Sequence, residues 1–189
     1  VTSIPDFWIE IKYGGRIWGI WAKNSTDQRR YQDLRRFFNS KVSVIDSKLY
    51  QASNAGVKIR LQIRGICSLI PKIKGMSENI EAISIVDNYL EHARIFIFCN
   101  NNDTEVFISS ADFMTRNLDG RVEVTCPIYD ESIKKQLIDT FEVGWKGNVK
   151  ARLHSEKLDN LYRERKANEP IFRAQQETYN YFNTITKNS

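Results

Sequence analysis

The eight residues Val57-Lys58-Ile59-Arg60-Leu61-Gln62-Ile63-Arg64 alternate strictly between apolar and polar. A period of two is the signature of a β-strand, because successive side chains point to opposite faces. Val57, Ile59, Leu61 and Ile63 face one way, and Lys58, Arg60, Gln62 and Arg64 the other. Just upstream, residues 45–53 read as a helix stopped by Gly56. The two together predict a helix–turn–strand unit with Arg64-Gly65 at the strand's carboxyl end. In open α/β sheets, ligands gather outside those carboxyl ends.

The flanking segments extend the same pattern. Residues 80–86 predict a strand, and residues 94–99 and 105–109 predict a hairpin across the turn Asn100-Asn101-Asn102-Asp103. Residues 121–126 read as a strand ended by Pro127. Residues 130–143 predict a helix capped by Asp130, with Ile133, Leu137 and Phe141 inward and Gly144 as its stop. Toward the start, residues 7–12 and 17–21 read as a hairpin across Gly14-Gly15, with Trp8, Trp18 and Trp21 in its core. Residues 27–38 fit an amphipathic helix whose Arg29, Arg30, Arg35 and Arg36 form a solvated face or, alternatively, an anion patch. Residues 71–75 are a basic loop with Lys72 and Lys74. Residues 156–169 read as a charged, solvated helix or linker, and Pro170 opens a last helix with Phe172 and Tyr179 among its apolar contacts. Alternating strands and helices predict an α/β domain around a mixed sheet.

A length of 189 residues allows one domain with a sizeable core, so residues 1–189 are read as a single domain. The chain begins at Val1 without an initiator methionine, which points to a piece of a longer protein. No apolar run is long enough to span a membrane, and no signal peptide is visible. Cys67, Cys99 and Cys126 are widely spaced and form no zinc pattern, which predicts reduced thiols in a cytoplasm. Cys67 reads as a small buried residue. A net charge of +5 fits either an ordinary basic protein or an anionic partner, and charge alone does not choose.

Of the two histidines, His92 stands in the more reactive setting. It precedes Arg94 by two residues, so an extended backbone puts both on one side. The strand that follows ends in Ser109-Ser110-Ala111-Asp112. A histidine near a fixed cation can carry a proton or act as a nucleophile at neutral pH, which phosphoryl transfer requires. Ser109, Ser110 and Asp112 offer hydroxyl and carboxylate groups to orient the imidazole, and Asp112 alternatively forms a turn. Arg116, Asn117 and Arg121 follow within a few residues as candidates to line an anion path. His154, in Arg152-Leu153-His154-Ser155, matches no motif and is expected at the surface.

His92-x-Arg94 followed by Ser109-Ser110-Ala111-Asp112 resembles the HxK…GSxN signature of the phospholipase D superfamily. The wider string is more specific: Arg64-Gly65-Ile66-Cys67-Ser68-Leu69-Ile70-Pro71, Ser77-Glu78-Asn79-Ile80, Ile83-Ser84-Ile85-Val86-Asp87, Leu90-Glu91-His92 and the run from Ser109 to Asp119. It resembles the C-terminal catalytic domain of the long-chain-synthesising bacterial polyphosphate kinases, from about Ser40 to about Phe182, leaving residues 1–39 outside the match. The resemblance implies a phospholipase D-like α/β domain, a mixed sheet flanked by helices. It implies that Arg64 and His92 contact the nucleotide, and that His92 assists phosphoryl transfer without being the main phosphorylated histidine. Arg94, Ser110, Asp112, Arg116, Asn117 and Arg121 complete the expected nucleotide and substrate set.

The HxKxxxxD pattern is broken, with Arg94 for lysine and Cys99 where the aspartate belongs, which argues against a conventional phosphodiesterase. Arginine favours a bidentate grip on phosphate oxygens. Phe113 and Gly120 depart from the tryptophan and arginine usual in the family.

The resemblance implies ATP and ADP as substrates, inorganic polyphosphate as partner, and Mg2+ whose ligands lie in the preceding catalytic domain together with the phosphohistidine. No metal ligand is assigned within this chain. It further implies a homo-oligomeric full-length protein, cytoplasmic or peripherally attached to a membrane, without a specific nucleic-acid partner. This chain alone is expected to be inactive or nearly so. Two other readings stay open: a phospholipase D-type phosphodiesterase or nuclease half-site completed by dimerisation, and a non-catalytic polyanion-binding module.

Overall fold

The computed structural model describes residues 8–13, 41–65, 67–99, 103–114, 117, 120–157, 159 and 161–187. In chain order its elements are β1 (Trp8–Tyr13), α1 (Lys41–Asn54), β2 (Lys58–Ile63), β3 (Ile80–Ile85), β4 (Ile95–Phe98), β5 (Glu105–Ser109), β6 (Thr125–Ile128), α2 (Glu131–Lys146), β7 (Ala151–Leu153) and α3 (Ala174–Lys187). The strands form a seven-stranded mixed sheet in the order β6-β5-β4-β1-β2-β3-β7. β1, β2 and β3 run parallel, while β4, β5, β6 and β7 add antiparallel neighbours on either side.

The alternation of residues 57–64 produces β2 as expected, but neither face meets water freely. Ile59, Leu61 and Ile63 pack with Leu49 of α1, Ile80, Ala82 and Phe96 in one cluster. The opposite face carries Gln62, buried at 4% exposure, under α2. A second cluster of Ile95, Ile97, Val106 and Phe141, with Leu137, Ile138 and Trp145 around it, joins the sheet to α2. Helices on both faces are what an interior parallel strand requires. The turn into β2 uses Gly56 at φ +92, a conformation glycine adopts without a Cβ penalty.

Several expectations change. β1 is hydrogen-bonded to β2 on one side and β4 on the other, in register Ile11↔Leu61 and Ile11↔Phe96. Residues 17–21 and the helix expected over 27–38 lie outside the described residues, as do Asn100, Asn101 and Asn102 of the expected turn. Pro127 lies inside β6 instead of ending a strand. β6 is an edge strand, where a missing N–H costs no ladder bond.

Asp130 caps α2 as expected, accepting from the backbone N–H groups of Ser132 at 2.9 Å and Ile133 at 3.0 Å. Gly144 does not stop α2, which runs on to Lys146 with Gly147 as its cap. The described residues among 156–169 form no helix. They return along β7, with Leu153 N–H bonded to Leu161 O at 2.8 Å and Arg163 N–H to Ala151 O at 2.8 Å. The last helix starts at Ala174, not at Pro170, and Tyr179 points outward at 63% exposure. Cys67 is half-buried, Cys99 buried and Cys126 exposed, and none of the three forms a disulfide. Among the described residues, no helix is long and apolar enough to cross a membrane.

Candidate active site

The sheet register brings the singled-out residues to one edge. β1 and β2 run in parallel and end with Tyr13↔Ile63, and β4 enters antiparallel with Ile95 opposite Lys12. Arg64, just after β2, and Arg94, just before β4, therefore emerge at the same carboxyl edge. β5 closes the group: Ile108 pairs with Ile95, and Ser109 N–H donates to Arg94 O at 3.0 Å.

Asp112 holds this group together. Arg94 donates from Nε to Asp112 Oδ1 at 2.8 Å and from Nη2 to Oδ2 at 3.0 Å. Arg64 Nη2 lies 3.7 Å from the same Oδ2, and its Nη1 donates to Glu91 O at 2.9 Å. The Asp112 side chain is 3% exposed, against 11% for Arg94 and 18% for Arg64. Within this trio, two guanidiniums and one carboxylate leave one positive unit, with Glu123 and Arg121 alongside. A two-point fork onto a carboxylate is the strongest pairing geometry available to arginine.

The bidentate edge of Arg94 is engaged by Asp112 and is not presented to an external anion. Asp112 contacts the arginines and does not orient the His92 imidazole directly. His92 is exposed, with Nδ1 3.1 Å from Arg94 Nη1. The same Nη1 lies 3.3 Å from Nε2, so the guanidinium meets the imidazole near both ring nitrogens and fixes no tautomer. Asp112 thus acts on His92 through Arg94.

The remaining candidates form a neighbouring group around Glu123, which the sequence reading passed over. Ser110 Oγ donates to Glu123 Oε2, and Asn117 Nδ2 to Glu123 Oε1 at 2.6 Å. These hydrogen bonds, Ser110's foremost, hold the Glu123 carboxyl below its usual range. Ser109 Oγ bonds Thr125 Oγ1 at 2.8 Å. Arg121 is exposed beside this group, while Arg116 lies outside the described residues. No motif marks Glu123; only the return of the chain from Asn117 to β6 puts it opposite Ser110.

On the other side, Asp46 of α1 accepts from Ser68 Oγ at 2.6 Å, and Tyr50 Oη accepts from Ile70 N–H at 3.0 Å. They anchor the loop that follows Arg64. Burial pushes the Asp46 carboxyl up to about 6. His154, expected at the surface, is largely covered. Its Nε2 lies 2.7 Å from Ser84 Oγ, which donates to Ile63 O, and burial lowers its pKa.

A divalent ion needs several oxygen ligands in a small space. Among the described residues no three His, Cys, Asp or Glu come close enough to hold one, and Asp112 is committed to two guanidiniums. The described residues therefore offer no all-protein cage for such an ion.

Comparison with known proteins agrees with this architecture. Residues 38–175 match the family described as Polyphosphate kinase C-terminal domain 2. The chain is 48% identical over 143 residues to a polyphosphate kinase of Vibrio vulnificus, covering 76% of this chain and 20% of that protein. It is 46% identical over 138 residues to the polyphosphate kinase of Escherichia coli K12, covering 73% of this chain and 20% of that protein. The crystal structure of polyphosphate kinase from Porphyromonas gingivalis superposes with a TM-score of 0.78 at 34% identity, covering 97% of this chain and 24% of that one. The chain thus spans about a fifth of the length of the curated relatives it matches. With the family match covering most of the chain and the sheet matching a solved relative, this chain belongs to the polyphosphate kinase C-terminal domain family and has its phospholipase D-like α/β fold.

Proposed function

We propose that this chain is one half of a phosphotransfer site that moves the γ-phosphate of ATP reversibly onto polyphosphate. The observation that carries the reading is the meeting of Arg64, Arg94 and His92 at one sheet edge around Asp112. A trio with one surplus positive charge beside an exposed imidazole suits a phosphate chain.

In the proposed reaction a histidine of the preceding domain attacks the γ-phosphorus. The bond from that phosphorus to the β,γ-bridging oxygen breaks, and ADP leaves with the electron pair. A terminal oxygen of polyphosphate then attacks the phosphohistidine, the N–P bond breaks, and the chain grows by one unit. His92 serves as acid/base or electrostatic partner to the leaving oxygen, and Arg64 neutralises charge on the nucleotide phosphates. Arg94 fixes His92 from behind. Ser110, Asn117 and Arg121 border the approach on the Glu123 side. Magnesium, held by ligands of the preceding domain, would screen the phosphates.

Titration of the protein with ADP, polyphosphate and single-stranded DNA at two salt concentrations tests the reading. Arg64→Ala and His92→Ala are expected to weaken ADP and polyphosphate by about tenfold, near 1.4 kcal/mol, and to leave DNA binding nearly unchanged. Equal loss toward all three ligands, or no loss, rejects it. Hydrolysis of a generic phosphodiester by the parent chain would favour the phosphodiesterase half-site instead.

A further inference from the structure

The loop that delivers His92 has no core of its own. Val86, Tyr89 and Leu90 are 59%, 76% and 72% exposed, so apolar burial does not fix residues 86–91. Polar contacts from the start of α3 hold it instead. Arg173 donates from Nε to Asp87 Oδ2 at 2.8 Å and from Nη2 to Oδ1 at 2.5 Å. This pairing holds the Asp87 carboxyl below its usual range. Gln175 reads the backbone of Tyr89 from both sides: Tyr89 N–H donates to Gln175 Oε1 at 3.0 Å, and Gln175 Nε2 donates to Tyr89 O at 2.7 Å. The same Nε2 reaches Glu91 Oε1 at 2.9 Å. Glu91 O in turn accepts from Arg64 Nη1 at 2.9 Å.

The base of this clasp is fixed to the body of the domain. Buried Asn148, just past α2, accepts from Phe172 N–H at 2.8 Å, donates its own N–H to Phe172 O at 3.0 Å, and donates from Nδ2 to Pro170 O at 2.9 Å. Ala174 is buried beside Gly147, whose added Cβ would come 3.1 Å from the alanine Cβ. A continuous set of contacts therefore runs from the end of α2, through residues 170–175, to Glu91, Arg64 and the residue before His92.

We propose that Arg173 and Gln175 are positioning residues for His92 and Arg64. They touch neither reacting atoms nor phosphate. They set where the loop over residues 87–91 holds the imidazole and the Arg64 guanidinium at the sheet edge. The functional importance of that placement rests on the phosphotransfer reading; the placement itself does not.

The protein has two histidines, so nuclear magnetic resonance of the imidazole Cε1–H groups separates the two questions. His154 is held by Ser84 and by the backbone of Ala82, outside the clasp, and serves as internal reference. Gln175→Met keeps the side-chain length and removes all three amide contacts. Arg173→Lys keeps the charge on Asp87 and removes the two-point fork. Both variants are expected to shift or broaden the His92 resonance while leaving His154 in place, and to weaken ADP binding about tenfold for Gln175→Met and about threefold for Arg173→Lys. An unaltered His92 resonance in both variants overturns the proposal, as does equal disturbance of both histidines, which marks a global effect. If the parent binds ADP without regard to Arg64→Ala and His92→Ala, the phosphotransfer reading fails, and the His92 resonance still decides the clasp.

Discussion

With 3% of its side chain exposed and two guanidiniums beside it, Asp112 sets how much positive charge the sheet edge offers a ligand. Without it, two cations at partial burial would repel each other. With it, Arg94 becomes a fixed strut under His92, and Arg64 keeps the freer guanidinium. Asp46 shows the opposite balance. Its partner Ser68 donates one hydrogen bond, too little to offset burial, and the carboxyl rises to about 6. The sign follows from linkage: the folded state holds the proton more tightly than an unfolded aspartate of ordinary pKa 3.8. Asp46 therefore favours folding at low pH and loses that contribution as pH rises from about 4 through about 6. Asp46→Asn keeps an acceptor for Ser68 and removes the charge. It is expected to raise stability at pH 7 by about 1–3 kcal/mol and to flatten the dependence between about pH 4 and 6. Urea denaturation at pH 4, 5, 6 and 7 checks this, and an unchanged slope in the variant would assign the dependence to another group.

α2 comes close enough to the sheet that one helix residue must be glycine. A Cβ on Gly144 would lie 2.3 Å from Gln62 Oε1, and Gln62 cannot swing away freely because its Nε2 donates to Phe141 O at 2.6 Å. Helix propensity alone favours alanine over glycine by about 1 kcal/mol. Here overpacking wins, and Gly144→Ala is expected to destabilise by about 1–2 kcal/mol. In a Gln62→Ala background the sign should reverse, because the clashing atom is gone; a double-mutant cycle by chemical denaturation measures the difference. A glycine at the end of an amphipathic pattern reads locally as a stop, and this one is a contact point instead. The Asp130 cap, the Gly56 turn and β2 were legible because their causes lie within a few residues. The roles of Gly144 and Pro127 were not, because a partner helix and a sheet edge decide them.

At the scale of the whole molecule, the site is one-sided. The described edge supplies two guanidiniums, one committed carboxylate and one exposed imidazole, with Glu123 gathering Ser110 and Asn117 alongside. The reading as half a phosphotransfer site predicts that the protein by itself forms no polyphosphate from ATP while still binding ADP. Incubation with labelled ATP, followed by measurement of long-chain product, checks this. Synthesis by this chain alone would mean that its residues include a phosphorylated nucleophile.

The sequence by itself determined the strands and helices whose hydrophobic period is regular, the family, and the short stretch around His92 where chemistry is concentrated. Each depends on spacing along the chain, which side-chain direction converts directly into geometry. Only the tertiary structure decided that β1 fills the centre of the sheet, that Arg94 grips Asp112, that Glu123 collects Ser110 and Asn117, and that Gln175 braces the loop before His92. Those pairings join residues with no shared local pattern, some more than eighty positions apart, and their partners are chosen when the layers pack and each buried donor or acceptor takes the group that folding brings within reach.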